Sequence, residues 1–121
     1  MGTRDCKDLL VWKKAHALVL KVYSVAEGFP KRYQFDLTSQ IRRASLSVPT
    51  NIAEGCASLH TKEFVQFLNI ANRSAAEVKY LLKFSFDSKV LVEKEYLEMT
   101  DGYIELQKMI CSLMYSIKSK N

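Results

Sequence analysis

Residues 96–117, YLEMTDGYIELQKMICSLMYSI, repeat apolar side chains at alternating spacings of three and four. The repeat consists of Tyr96, Met99, Tyr103, Leu106, Ile110, Leu113 and Ile117. An average period of about 3.5 residues aligns these side chains along one side of a helix and favours left-handed packing at about 20°. Only Gly102 weakens the helical preference, by about 1 kcal/mol relative to alanine. The stretch therefore predicts one long helix of a bundle.

Three earlier segments, near residues 7–27, 35–54 and 61–86, show helical periodicity of the same kind. Their apolar faces are, in order, Trp12, Ala15, Val19, Val22 and Ala26; Leu37, Ile41, Ala44, Val48 and Ile52; and Phe64, Phe67, Ala71, Ser74, Val78 and Leu81. The 4 glycines and 2 prolines are too few turn-forming residues for a β-rich domain of this size. The sequence predicts one all-α domain over residues 1–121, an antiparallel up-down-up-down four-helix bundle.

Capping and breaking residues mark the expected helix boundaries. Gly28, suited to a left-handed C-terminal position, and Pro30 are expected to end the first helix. Asp36 or Thr38 is expected to cap the start of the second. Thr61 is expected to cap the third in the same way.

Pro49 lies inside the second predicted helix. Its ring removes one backbone hydrogen bond and clashes with the carbonyl of Ser45. A kink near Ser45–Pro49, or a division into two shorter helices, is therefore expected. The side chains of Ser47, Thr50 or Asn51 are expected to satisfy the freed backbone groups.

The stretch QIRRASLSVPTNIAEG, residues 40–55, allows two interpretations. In the structural one, a kinked helix is closed by Gly55, and Glu54 pairs with an arginine of a neighbouring helix. In the functional one, Arg42 and Arg43 form part of an anion-binding surface. The structural interpretation is favoured for the signature residues Pro49, Asn51, Glu54 and Gly55. For the two arginines both interpretations stay open.

Basic residues exceed acidic ones and are unevenly distributed. Residues 1–89 carry 14 Lys/Arg and 8 Asp/Glu, a net charge of +6, whereas residues 90–121 carry 4 and 5, a net charge of −1. Two stripes stand out, Lys7, Lys14 and Lys21 on the first predicted helix, and Lys62, Gln66, Asn69 and Arg73 on the third, continuing toward Tyr80 and Lys83. Such stripes can bind nucleic-acid phosphates and bases, but every amphipathic helix also needs a solvated side. The candidate nucleic-acid-binding residues are Lys7, Lys14, Lys21, Arg42, Arg43, Lys62 and Arg73.

The sequence contains no pattern typical of catalysis, of a cofactor or of a metal site. Neither His16 nor His60 follows a glutamate in a Glu-x-x-His arrangement, and the cysteines at positions 6, 56 and 111 are too far apart for a zinc knuckle. No phosphate loop or dinucleotide fingerprint is present. No apolar run approaches the ~20 residues of a membrane span. These features predict a non-enzymatic cytoplasmic protein with ordinary thiols, no cofactor, no metal and no membrane partner.

Several motifs resemble one known family in chain order. Residues 7–16, KDLLVWKKAH, resemble the opening of the bacterial four-helix-bundle proteins also called 23S rRNA-intervening-sequence proteins. Residues 37–44, LTSQIRRA, and 48–55, VPTNIAEG, are similar to the central signature of that family. Residues 61–64, TKEF, with Phe67 and Leu68, resemble the start of its third helix.

The resemblance implies a four-helix bundle that assembles into a homopentameric ring and has no catalytic residues. Some members of the family are encoded inside insertions in 23S rRNA genes. A more distant resemblance is to the accessory variability protein of diversity-generating retroelements, which implies binding to nucleic acid and to a partner protein.

Two functional hypotheses follow from the residues and the resemblance together. The first is an oligomeric accessory protein that binds RNA or DNA through the basic stripes. The second is a scaffold that binds a partner protein through apolar surface in excess of what one core needs. This surplus set comprises Val11, Leu18, Val25, Ile104 and Met114.

Overall fold

A computed structural model describes Cys6 and residues 9–120, and four α-helices account for most of this part of the chain. They are α1 (Leu10–Ala26), α2 (Ser39–Ala57), α3 (Thr61–Asp87) and α4 (Glu93–Ser119). A 3₁₀ turn, Lys31–Tyr33, and a π-helical turn, Gln34–Thr38, lead from α1 into α2. No β-strand occurs in the described residues, so the predicted all-α class is confirmed.

The four helices pack as a closed set of neighbours. α2 contacts α1 and α3, while α4 contacts α3 and α1, so each helix has two principal partners. The contact between α2 and α3 is the most extensive of the four, and that between α1 and α4 is the smallest. The predicted four-helix bundle is confirmed, whereas its up-down-up-down direction stays a prediction. None of the described helices is both long and apolar enough to cross a bilayer.

The core confirms the periodicity of the fourth helix. Met99, Tyr103, Leu106 and Ile110 are buried, and the remaining members of the repeat are partly buried against the core. In α1 the buried positions include Val11 rather than Trp12. Trp12 is half-buried and stacks on His16, with ring centroids 4.9 Å apart. The other four positions of the predicted α1 stripe are buried as expected, so only its first position differs.

The second helix runs unbroken through Pro49, so a division into two helices is excluded. A kink at this proline stays a prediction. The Asn51 amide donates hydrogen bonds to the Ser47 carbonyl (2.8 Å) and to the Ser47 hydroxyl (3.0 Å). A side chain thus bonds the backbone here, as expected, but at the Ser47 carbonyl and not at the Ser45 carbonyl, which proline leaves without an N–H donor.

The helix boundaries differ from the predicted caps for local reasons. Thr38 makes no capping hydrogen bond, because α2 continues directly from the π-helical turn. The N–H group of Ser39, the first residue of α2, already donates to the Asp36 carbonyl. His60, not Thr61, occupies the position before α3. Gly28 has no positive φ angle, since α1 ends in tight bonds such as that from the Gly28 N–H to the Val25 carbonyl.

Gly55 was predicted to close the second helix, and this prediction is wrong. The residue lies inside α2 and is buried. A β-carbon at this position would stand 2.7 Å from Cδ1 of Phe64 and 3.1 Å from Cβ of Phe67. Both phenylalanines belong to α3. Glycine is therefore needed for the close approach of α2 and α3 and not for a turn.

The connection after α3 contains a residue in left-handed conformation. Lys89 has a φ angle of 63°. Its N–H donates to the Phe86 carbonyl (3.0 Å), and the Val90 N–H donates to the Ser85 carbonyl (2.8 Å). These bonds form a Schellman motif, in which glycine is the residue with the lowest conformational cost at the left-handed position.

Lys89→Gly is therefore expected to raise the free energy of unfolding by about 0.5–1 kcal/mol, because it removes the steric cost of the left-handed conformation. Urea denaturation measures the change. Lys89→Ala is the control, since it removes the charge but keeps the β-carbon, and it should leave stability nearly unchanged. Equal stabilisation by both variants would show that the charge, not the conformation, is responsible.

Candidate nucleic-acid interface

The three lysines predicted to form a stripe on α1 have different environments. Lys7 lies outside the described residues. The Lys14 ammonium forms an ion pair with the Glu105 carboxylate of α4 at 3.0 Å. Lys21 is exposed. Because Lys14 is neutralised by a partner 91 positions along the chain, α1 does not present the continuous row of free cations that the spacing suggested.

Arg42 and Arg43 are adjacent in sequence but lie beside different clefts. The guanidinium of Arg42 lies 5.1 Å from the ring centroid of Tyr23, and its Nε atom is buried. Arg43 is exposed and lines a polar groove between α2 and α3 that also contains Asp36 and Glu77. The carboxylates beside Arg43 oppose its charge. Of the two arginines, only Arg42 has a partly buried guanidinium that packs against an aromatic ring.

The stripe on α3 is exposed at each of its four positions, as the helical spacing predicted. We call Lys62, Gln66, Asn69 and Arg73 the α3 basic stripe. Lys118 of α4 joins Lys62 and Gln66 around a shallow hollow of about 460 Å³ whose lining contains no acidic residue. In the described part of the chain, ion pairs occupy Lys14 and Lys83 but none of the stripe cations. These cations are available to an anionic partner.

An exposed aromatic group near the start of α2 was not predicted as a functional feature. Phe35 is 91% exposed, and Tyr80 and Phe84 of α3 are 64% and 40% exposed. Tyr80 and Phe84 line a cleft of about 220 Å³ together with Tyr33. The sequence signal for this group is the cluster of aromatic residues at positions 29, 33 and 35, of which the last was placed at the start of the second predicted helix.

The four signature residues have mainly structural environments. Pro49 and Gly55 are buried, and Asn51 is half-buried. Glu54 is exposed and forms no ion pair within the described residues, so the expected bond to an arginine of a neighbouring helix is not observed. An exposed carboxylate stays well solvated without such a partner.

The apolar residues assigned to a partner surface are mostly part of the core. Val11 is buried, and Leu18, Val25 and Met114 pack partly buried against the core. Ile104 alone of this set is classed as exposed, at 38%. The prediction of a surplus apolar surface is therefore wrong for every member of the set except Ile104. For the members on α1 the reason is that the wide apolar face of this helix contacts both α2 and α4.

A different apolar surface is present where α1 and α4 meet. Leu9, Leu10, Val11, Met109 and Leu113 line a groove of about 570 Å³. Leu10 is 73% exposed there. The groove follows from the small contact area between α1 and α4, which leaves apolar side chains of both helices uncovered.

The titratable side chains of the described residues are not arranged as a metal site. Within this part of the chain, no group of three His, Cys, Asp or Glu residues could hold an ion. His16 stacks on Trp12, and His60 is exposed before α3. Cys56 is buried and Cys111 is exposed, and neither forms a disulfide.

Comparisons with known proteins agree with this architecture. A crystal structure of a protein with unknown function, from the S23 ribosomal protein family of Bacteroides thetaiotaomicron VPI-5482, superimposes with a TM-score of 0.82 at 21% sequence identity. The match covers 88% of this chain and 96% of that one, and it supports the fold. No curated protein matches. The model of the 23S rRNA-intervening sequence protein family matches residues 7–112, so this chain belongs to that family, as its motifs predicted.

Proposed function

We propose that this protein is a non-enzymatic accessory protein of the cytoplasm that binds nucleic acid, RNA in particular, through the α3 basic stripe. The observation that carries the proposal is that Lys62, Arg73 and Lys118 are exposed and form no ion pair within the described residues. The amides of Gln66 and Asn69 lie along the same exposed side of α3 and can donate to phosphate or base oxygens. The family description, which refers to 23S rRNA, supports RNA as the first ligand to test.

A charge-removal series tests this interface. The triple variant Lys62→Gln, Arg73→Gln and Lys118→Gln is expected to weaken binding to a structured fragment of 23S rRNA at least tenfold. Loss of three phosphate contacts should also reduce the slope of log K against log salt by about two, since each contact contributes ~0.7–0.9. Fluorescence anisotropy at several salt concentrations measures both quantities.

A control variant removes the same charge elsewhere. Lys13, Lys89 and Lys94 are exposed and lie outside both the stripe and the groove between α1 and α4, and their replacement by glutamine gives an identical net charge. This control should retain most of the affinity. Equal losses in both variants would show binding by overall charge alone. Equal affinity of the wild type for the RNA fragment and for heparin would exclude specific recognition.

The proposal includes a homo-oligomer, a pentamer by resemblance to the family, with the α1–α4 groove as the contact surface. Light scattering is expected to give a mass near five times the 13.9 kDa chain. Leu10→Glu places a charge in the groove and should reduce this mass, because an apolar interface cannot desolvate an unpaired carboxylate cheaply. A wild-type mass of one or two chains would contradict the ring.

The same groove favours a second candidate function, a scaffold that presents apolar surface to a partner protein. The two candidates differ in their response to mutation. Leu10→Glu should abolish partner capture in the scaffold case but leave RNA affinity per chain intact, whereas the α3 triple variant should do the opposite. A pull-down from lysate that identifies both RNA and protein distinguishes them.

A further inference from the structure

A pocket of about 230 Å³ lies between the end of α1 and the start of α2. Ala26 and Glu27 form its wall on the α1 side, followed by the linker residues 29–31. Gln34 and Thr38 of the π-helical turn and Arg42 of α2 form the opposite wall. These last three residues are spaced by four in a helical segment, so they follow one another along a single side of it.

Two polar atoms of this pocket's residues are buried without a hydrogen-bond partner in the described structure. They are Oγ1 of Thr38, whose residue is only 6% exposed, and Nε of Arg42. A buried polar group normally has a partner, and leaving one unpaired is costly, the more so for a charged group. The guanidinium of Arg42 can only donate. A group that completes these bonds must therefore be an acceptor.

The charges around the pocket favour an anion. Lys31 and Arg42 contribute two positive charges and Glu27 one negative charge, leaving a net charge of +1. The ring of Tyr23, 5.1 Å from the Arg42 guanidinium, packs against this group and limits its freedom. A guanidinium held in place presents its N–H groups as a fork that suits oxygen pairs of phosphate and carboxylate.

We propose that this pocket binds a phosphate group. Arg42, Thr38, Gln34 and Lys31 can all donate hydrogen bonds, and they come from two different segments that line the pocket. The lone-pair sites of a carboxylate all lie in one plane, which suits donors from different directions less well. A phosphoryl group presents three or more oxygens in a tetrahedral arrangement. The phosphate belongs either to a nucleic-acid backbone or to a free phosphate or phosphomonoester. The pocket shares no residue with the α3 basic stripe, so phosphate binding here can be tested independently of the proposed RNA interface.

Isothermal titration with inorganic phosphate, against chloride at equal ionic strength, tests the pocket on the full chain. Arg42→Gln and Thr38→Val are each expected to weaken phosphate binding about tenfold or more, since a hydrogen bond to a charged group is lost. Arg43→Gln is the matched control, because it removes the same charge from the adjacent residue, which faces a different groove. It should change affinity less than about twofold.

Two further measurements make the result independent of folding defects. Lys31→Gln alters an exposed residue, so we expect it to leave the fold intact while weakening phosphate binding. In the wild type, phosphate should shift the amide NMR signals of Lys31, Gln34 and Thr38. Phosphate binding no tighter than chloride binding, or equal losses in Arg42→Gln and Arg43→Gln, would overturn the proposal.

A competition experiment identifies the source of the phosphate. An oligonucleotide without terminal phosphates, added to the phosphate complex, should displace phosphate in an Arg42-dependent manner if the pocket takes a backbone phosphodiester. If inorganic phosphate and a phosphomonoester bind but this oligonucleotide does not compete, the ligand is a free phosphate compound. If the α3 triple variant binds RNA as well as the wild type does, the proposed function is contradicted but phosphate binding in this pocket is not, because the pocket contains none of the three substituted residues.

Discussion

Replacing Gly55 by leucine is expected to lower the free energy of unfolding by about 3 kcal/mol or more, the upper end of the cost of overpacking a core. The reason is the rigid surroundings of the glycine. The first added atom would already lie 2.7 Å from the Phe64 ring, which is fully buried, and 3.1 Å from Cβ of Phe67. The Cβ atom of Phe67 is fixed to the α3 backbone, so relieving this contact requires a shift between α2 and α3, the two helices with the largest contact.

Guanidinium denaturation followed by circular dichroism measures this loss. A pair of alanine substitutions provides the control. Gly55→Ala should still destabilise, whereas Gly102→Ala should be neutral or stabilising by up to about 1 kcal/mol, the helix-propensity gain. At Gly102 the three atoms nearest to the new β-carbon all belong to the Leu18 side chain. The closest is Cδ2 at 2.8 Å, the end of a half-buried side chain that can rotate away. Wild-type stability of Gly55→Leu would contradict the proposed close approach.

Tyr103→Phe is expected to raise the free energy of unfolding by about 1–2 kcal/mol at neutral pH. Tyr103 is 0% exposed, and its hydroxyl has no hydrogen-bond partner within the described residues. The substitution keeps the ring that fills the core and removes only the unpaired polar atom. The exposed Tyr115 on the same helix is the control, and Tyr115→Phe should change stability little. A loss of stability in Tyr103→Phe would show that the hydroxyl has a partner, such as a buried water.

The same tyrosine makes stability depend on alkaline pH. Burial raises the pKa of Tyr103 above its usual value of 10.0, because the phenolate is poorly solvated in the core. The unfolded chain therefore releases this proton at lower pH than the folded chain does. This group therefore gives the free energy of unfolding no pH dependence below about pH 10 and lowers that free energy as pH rises above 10. Between wild type and Tyr103→Phe, the slope of unfolding free energy against pH should differ by about 1.4 kcal/mol per unit. Equal slopes would contradict this account.

Secondary structure was predictable because each helix of this bundle meets its neighbours along one face. Positions such as Met99, Tyr103 and Leu106 are buried because the period of the helix places them there, whichever helices cover them. The exposure of Lys62 and Arg73 follows from the same period on the opposite side. The family was also accessible from sequence, because its motifs occur in order along the chain.

The site was only partly predictable. The spacing of the α1 lysines predicted a free cation at Lys14, but this residue forms an ion pair with Glu105 of another helix. Thr38 was assigned to a helix cap, yet its hydroxyl is buried beside a pocket that the 3₁₀ and π-helical turns create. Neither environment is encoded in local spacing, because each depends on residues from a second segment.

The amino-acid sequence by itself determined the helices, the side of each that is buried and the family. The helices and their buried sides depend on residues within three or four positions of one another, which helical geometry places together. The family depends on motifs that can be read in order along the chain. The tertiary structure alone decided that Gly55 permits close packing instead of ending a helix, and that Arg42 borders a pocket while Arg43 does not. Such properties depend on contacts between distant segments, and packing sets those contacts to within tenths of an ångström.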